Sequence, residues 1–372
     1  MSYPLFGVVH SARQEEVAVE VLRSGQIAAG PYVERFRAAF ADLVGNPRTV
    51  TVNDMSNAMA IALRLAGVEA GHEVITSPFS CLSTNAPLGM SGAKLVWADI
   101  DPDTATLDVA SVERLITPET RAVVLYHVAG YPGPAKALLA LCRARGIALI
   151  EDCDNALGAT IDGRQVGSFA DYAVYSFYPN RQINAIDGGA LSVGTDEEYD
   201  RALRLRKYGI DPTRFRDRLG EIDPTVDVPE LGWAAVLNNL SSAIGAVQLD
   251  GLQGRLLRTR SNAERLRGHL AGLPGIELVQ PLSGAVPAYW AVLLRAERRD
   301  ALMGALKSQG VAASKLHHRN DDYSGFKATR SAVPGVDRFM DTVLALPCGW
   351  WLDHSAIDRI AGHVQDALLV QA

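Results

Sequence analysis

Between residues 49 and 193, apolar runs of strand length alternate with stretches of helical periodicity, and this alternation constrains the fold more than any other feature. Residues 49–52, 73–76, 94–98, 122–126, 147–150, 173–177 and 190–193 read as strands. Residues 55–66, 82–91, 109–116 and 135–145 read as the helices between them. Such an order predicts an α/β fold, a large mostly parallel sheet flanked by helices on both faces. Right-handed crossovers gather the strand C-termini along one edge, where α/β sheets keep their chemistry. Asp99, His127, Asp152 and the loop after Phe177 are expected on that edge.

The rhythm changes outside this block. Two amphipathic helices, 15–24 and 32–43, precede it, the first stopped by Gly25 and the second opened by Gly30-Pro31. A Pro- and Asp-rich loop over 208–230 is too long for a plain connector and is expected to reach a partner subunit or cover a ligand. Residues 237–270 read as one long helix or a broken pair, with Gly245 and Gly251 as the bends. Segments 276–279, 289–294, 299–309, 311–316 and 355–370 describe a small α+β domain. The expected division is a large domain over 1–250 and a small one over 251–372.

Composition excludes several classes. Lys and Arg number 36 against 42 Asp and Glu, a net charge of −6 with no basic tract, so nucleic acid and membrane surfaces are not expected partners. No apolar stretch approaches membrane-spanning length, and the N-terminus lacks a signal-peptide pattern. Cys81, Cys142, Cys153 and Cys348 are scattered without CxxC spacing, which argues against a metal site or disulfide scaffold and fits a reducing, cytoplasmic setting.

The chemistry-bearing residues cluster at predicted strand ends. Asn53-Asp54 caps the helix that starts at Met55, leaving the amides of Met55, Ser56 and Asn57 at a positive helix end. That end, with the Ser56 hydroxyl, suits a phosphate or is simply a capped helix. Asp152 follows an apolar strand and either caps the next segment or accepts a proton or a cationic ring nitrogen. Ser176 is either a core hydroxyl or a phosphate contact, and His127 reads as a buried, hydrogen-bonded histidine. The turn Tyr178-Pro-Asn-Arg181 places a guanidinium at the same edge. No P-loop, GxSxG elbow or HExxH site is present. An anion site beside a carboxylate frames a phosphorylated heteroaromatic cofactor without naming it.

Ser24-Gly-Gln-Ile-Ala-Ala-Gly-Pro31, Gly71-His-Glu-Val-Ile75, Ala98-Asp-Ile-Asp-Pro102, Glu151-Asp152, Gly167-Ser-Phe-Ala-Asp171, Ser176-Phe-Tyr-Pro179 and Asp187-Gly-Gly189 occur in order along almost the whole chain. Together they resemble the DegT/StrS family of pyridoxal-phosphate-dependent sugar aminotransferases and dehydratases. The resemblance implies the fold-type I aminotransferase architecture and a homodimer with active sites at the subunit interface. It implies that Asp152 pairs with the pyridine nitrogen, keeping the ring an electron sink. It further implies that Asn155 lies near the ring hydroxyl, and that Ser56 and Ser176, with the Met55 amide, hold the phosphate.

Several positions depart from the family pattern. Arg181 aligns with the lysine that forms the imine link to the cofactor, and an arginine that stays protonated cannot form it. The ring-stacking aromatic aligns with Cys81. The partner-subunit loop, usually Gly-Tyr-Asn-Tyr-Arg, reads Gly232-Trp-Ala-Ala-Val236. The dehydratase branch of the family also lacks the lysine, carries a histidine there, and works with the pyridoxamine form. Three readings follow. The first is an enzyme that binds pyridoxal or pyridoxamine phosphate (PLP or PMP) non-covalently and modifies a nucleotide-linked keto sugar. In it Arg181 is the candidate catalytic residue, clamping an anion, and Tyr178, Asn180, Arg319 and Tyr323 contact substrate. The second is a non-catalytic homologue serving as a ligand-binding or partner subunit. The third is a repurposed enzyme without a pyridoxal cofactor.

Overall fold

The computed structural model describes residues 2–326 and 331–371. Seven strands build the central sheet: β1 (Thr49–Val52), β2 (Glu73–Thr76), β3 (Lys94–Trp97), β4 (Thr120–Tyr126), β5 (Ala148–Asp152), β6 (Tyr172–Ser176) and β7 (Gly189–Ser192). Their spatial order is β1-β7-β6-β5-β4-β2-β3. The run from β6 to β3 is parallel, while β7 is antiparallel to both neighbours, β6 and β1. The sheet is thus mostly parallel, as its apolar strands require.

Adjacent residues on each strand alternate between two cores, as the two-residue period demands. Val74, Val124, Ile150, Val174 and Leu191 pack with Met59 and Leu63 of helix α3 on one face. Ile75, Val123, Leu149, Ala173 and Ala190 pack with Phe36 and Phe40 on the other. The helices of this part are α1 (Ala12–Ser24), α2 (Pro31–Val44), α3 (Met55–Leu65), α4 (Leu82–Met90), α5 (Val109–Leu115), α6 (Ala135–Arg145) and α7 (Asp196–Leu205). Their ends follow capping chemistry. The Ser11 hydroxyl accepts from the Gln14 amide, Gly25 closes α1 at φ 71°, and Thr195 with Glu198 forms a capping box on α7.

The expected helix over 237–270 is a broken pair, α8 (Asn239–Ala246) and α9 (Leu252–Leu270). The break lies beside Gly251. Gly245 is no bend but a packing site inside α8, where a Cβ would come within 2.8–3.0 Å of the Phe36 ring. Beyond α9, β8 (Ile276–Leu278), β9 (Val292–Ala296) and β10 (Val343–Leu346) form an antiparallel sheet. It is joined by α10 (Arg299–Ser308), α11 (Pro334–Thr342) and α12 (His354–Gln371). Segment 311–316 contributes only isolated bridges, Tyr3–Val311 and Ser314–Ala345. The core of this C-terminal unit also draws in Tyr3 and Leu5, so the start of the chain packs with its end.

Candidate functional site

The parallel strands bring their C-termini to one edge, with Tyr126 opposite Asp152 and Asp152 opposite Val174. Asp152 is fully buried. Its Oδ2 accepts from Thr84 Oγ1 at 2.6 Å and its Oδ1 from the Asp154 amide at 3.0 Å. Burial first, then the charge of Asp154, pushes its pKa up to about 7. No helix starts here, so Asp152 ends a strand and closes a turn. Asp99 has the capping task instead, accepting from the amides of Gly335 and Val336 at the start of α11. His127 is fully buried, its Nδ1 accepting from the Gly133 amide and its Nε2 facing Glu151 at 3.1 Å. Glu151 also accepts from the amides of Phe169 and Ala170, so His127, Glu151 and nearby Cys153 form a closed structural group.

After β6 the chain is pinned by Phe177, buried edge-on against Phe36 and Phe40 at ring distances of 5.0 and 4.9 Å. The polar turn that follows carries Arg181 inward, to 9% exposure. Its Nε and Nη2 donate to Oδ1 and Oδ2 of Asp154 at 2.5 and 2.6 Å, a side-on fork. Nη1 donates to the Asn180 carbonyl oxygen of the side chain, and the Trp290 ring lies 5.0 Å from the guanidinium carbon. Burial opposes the charge of Arg181, but Asp154 outweighs it and the pKa is raised. The expectation that Arg181 clamps a ligand anion is therefore corrected, because Asp154 already occupies its fork.

Asn155 donates through Nδ2 to the Tyr126 hydroxyl at 2.5 Å, and that hydroxyl lies 3.2 Å from His317 Nε2. Burial lowers the His317 pKa to about 4, so the neutral ring shares an uncharged hydrogen bond with the tyrosine hydroxyl. The Asn155 Oδ1 atom is buried and has no hydrogen-bond partner among the described residues. Cys81 precedes α4, its sulfur accepting from Ser83 Oγ at 3.1 Å.

Ser176 ends β6 two residues beyond Val174, roughly 7 Å along the strand from the level of Asp152. Its hydroxyl oxygen accepts from the Tyr178 amide at 3.2 Å, leaving the O–H to donate elsewhere. The start of α3 abuts this end: a Cβ on Gly189, the partner of Ser176, would meet the Met55 Cα and N at 2.8–2.9 Å. The Asp54 carboxylate accepts from the Ser56 amide at 2.6 Å and so already occupies one donor of that helix end. Ser56 also lines a cavity of about 490 Å³ with Asn57, Arg64, Met90 and Trp233.

Two expected substrate contacts have partners within their own loop. Arg319 is 1% exposed, its fork on Asp321 at 2.9 and 2.5 Å with further bonds to Asp337 and the Ser331 carbonyl. It braces its own loop, which corrects its assignment to substrate. Tyr323 is half exposed and edge-on to His318. Tyr178 is exposed, and Asn180 holds Arg181 and accepts from the Trp290 indole through its backbone carbonyl.

The family model of the DegT/DnrJ/EryC1/StrS aminotransferases matches residues 9–365. The chain belongs to the DegT/DnrJ/EryC1/StrS aminotransferase family. It is 32% identical over 360 residues to the dTDP-3-amino-3,4,6-trideoxy-alpha-D-glucose transaminase of Streptomyces venezuelae, covering 95% of this chain and 92% of that protein. A sugar aminotransferase from Micromonospora echinospora superposes with a TM-score of 0.92 at 33% identity, over 98% of this chain and 99% of that one. The aminotransferase TlmJ from Streptoalloteichus hindustanus gives 0.92 at 28% identity over the full length of both. The architecture is accordingly the fold-type I aminotransferase α/β fold.

Within this aminotransferase-family fold, sequence reasoning missed four residues that the structure puts at the site. Thr84, Tyr126 and His317 carried no local signal, because each is polar or aromatic at an ordinary position. Asp154 did carry one: a third carboxylate within the four residues Glu151-Asp-Cys-Asp154 is a heavy charge load for a buried strand end, and it calls for a cation.

Proposed function

We propose that this chain is an enzyme that modifies a nucleotide-linked keto sugar using PLP or PMP held without a covalent bond, in the manner of a dehydratase rather than an ordinary transaminase. The active unit is a homodimer. One observation carries the reading: Arg181, aligned with the family's lysine, is fixed by both oxygens of Asp154, while Asp152 lies buried with no cation among the described residues hydrogen-bonded to it. The residues fit the ring end of such a cofactor. Asp152 is placed to hold a proton on the pyridine nitrogen, and the orphaned Asn155 Oδ1 faces a missing donor. Ser176 and Ser56 supply hydroxyls for the phosphate. Bound there, the ring supplies an electron sink. The neutral His317, through Tyr126 and Asn155, gives the site an uncharged hydrogen-bond relay.

Thermal unfolding with each form of the cofactor tests this. PMP at a hundredfold excess over its dissociation constant is expected to stabilise the fold by about 2.7 kcal/mol. PLP followed by borohydride is expected to leave no stoichiometric label on a site lysine. A stoichiometric lysine adduct, or no binding of either form, overturns the proposal. A second reading, a ligand-binding or partner subunit without turnover, is favoured by Asp54, whose carboxylate sits where a phosphate would approach α3.

A further inference from the structure

Asp154 lies two residues past Asp152, 3% exposed, with both oxygens engaged by one guanidinium. Position 181 is surrounded by groups that favour a cation: the Asp154 carboxylate, the Asn180 side-chain oxygen and the face of Trp290. We propose that Asp154 is a positioning residue that sets the charge of whatever side chain occupies position 181, so that no free amine can exist there. This inference rests on the cofactor-site reading above.

The physical basis is a competition between burial and pairing. A buried amine alone loses its proton easily, because desolvation disfavours the ammonium form. A carboxylate at hydrogen-bond distance reverses that preference, and here Asp154 is buried with its backbone amide donating to Asp152. Addition to an aldehyde carbon needs the nitrogen lone pair, which a protonated amine lacks. A lysine placed at 181 would therefore remain an ammonium ion paired with Asp154. Restoring a covalent tether takes two changes, the arginine and its carboxylate together. In the native chain the same carboxylate turns the fork of Arg181 toward the loop after β5 and keeps it from a substrate anion.

The test compares Arg181→Lys with the double variant Arg181→Lys, Asp154→Asn, each checked for folding by circular dichroism. Reductive methylation with formaldehyde and cyanoborohydride, followed across pH by peptide mass spectrometry, reports the free amine at position 181 without any cofactor. The double variant is expected to reach half-modification at least about one pH unit lower, which is about tenfold more modification at neutral pH. Coincident profiles overturn the inference. If the double variant does not fold, Arg181→Lys alone decides: a midpoint above that of the exposed lysines supports the role of Asp154, and one below overturns it. With PLP and borohydride, only the double variant is expected to carry a label at 181. If the methylation profiles separate but neither variant takes that label, Asp154 keeps its role and the cofactor reading fails.

Discussion

Asp152 and Asp154 are two residues apart and both enclosed, yet among the described residues only Asp154 pairs with a cation. Asp154 spends both oxygens on Arg181. Asp152 is left with a hydroxyl and an amide, and burial drives its pKa up to about 7. A carboxyl whose folded pKa is raised stabilises the fold fully below its unfolded value, near pH 4, and loses that contribution as pH rises through about 7. The ligand-free protein is therefore expected to lose on the order of a few kcal/mol between those limits. Asp152→Asn should abolish that slope. Urea midpoints of both proteins across this range check it, and parallel curves would remove the special status of Asp152. At this scale Asp152 was legible as a carboxylate at a strand end. The partner of Asp154 was not, because 27 residues of sequence separate it from Arg181. Arg319 misled for a related reason: an arginine in a polar loop looks free until its acids, Asp321 and Asp337, fold back on it.

The end of β6, the start of β7 and the first turn of α3 converge on Gly189. A side chain there would press on backbone atoms, the Tyr175 carbonyl oxygen at 2.7 Å and Met55 at 2.8–2.9 Å. Gly189→Ala is expected to cost about 1–3 kcal/mol and to weaken PMP binding more than it weakens the fold elsewhere. Denaturant midpoints and calorimetric titration measure the two effects. Most elements were readable because their apolar period and their boundary residues agreed, as with Asp54 before α3. The α11–β10 pair was not. There Thr342 ends a helix and Val343 begins a strand with no glycine or proline between them, so the sequence offers no punctuation. The 311–316 segment shows the opposite error, since apolar residues alone do not make a strand without a continuous neighbour.

Across the molecule, the 208–230 loop and its flanks expose Tyr208, Leu219, Ile222 and Leu231, and Met90 is exposed on the cavity that Ser56 lines. A homodimer covering these side chains is the expected solution state. Light scattering after gel filtration is expected to give twice the 39.9 kDa of one chain, and a monomeric mass at all concentrations would exclude an interface-built site. No helix among the described residues is long and apolar enough to cross a membrane. The α/β class and the segments that become sheet strands were legible from the alternation along the chain, whereas their spatial order and the antiparallel β7 were not. The packing of the first residues was not, because a short apolar start has no period to read.

That start has a temporal consequence. Tyr3 bridges to Val311, donates its amide to the Gly310 carbonyl and accepts from Arg359 through its hydroxyl. These neighbours follow Tyr3 by 307 residues or more. Until they leave the ribosome the opening residues have nowhere to dock, and the C-terminal unit cannot close around them.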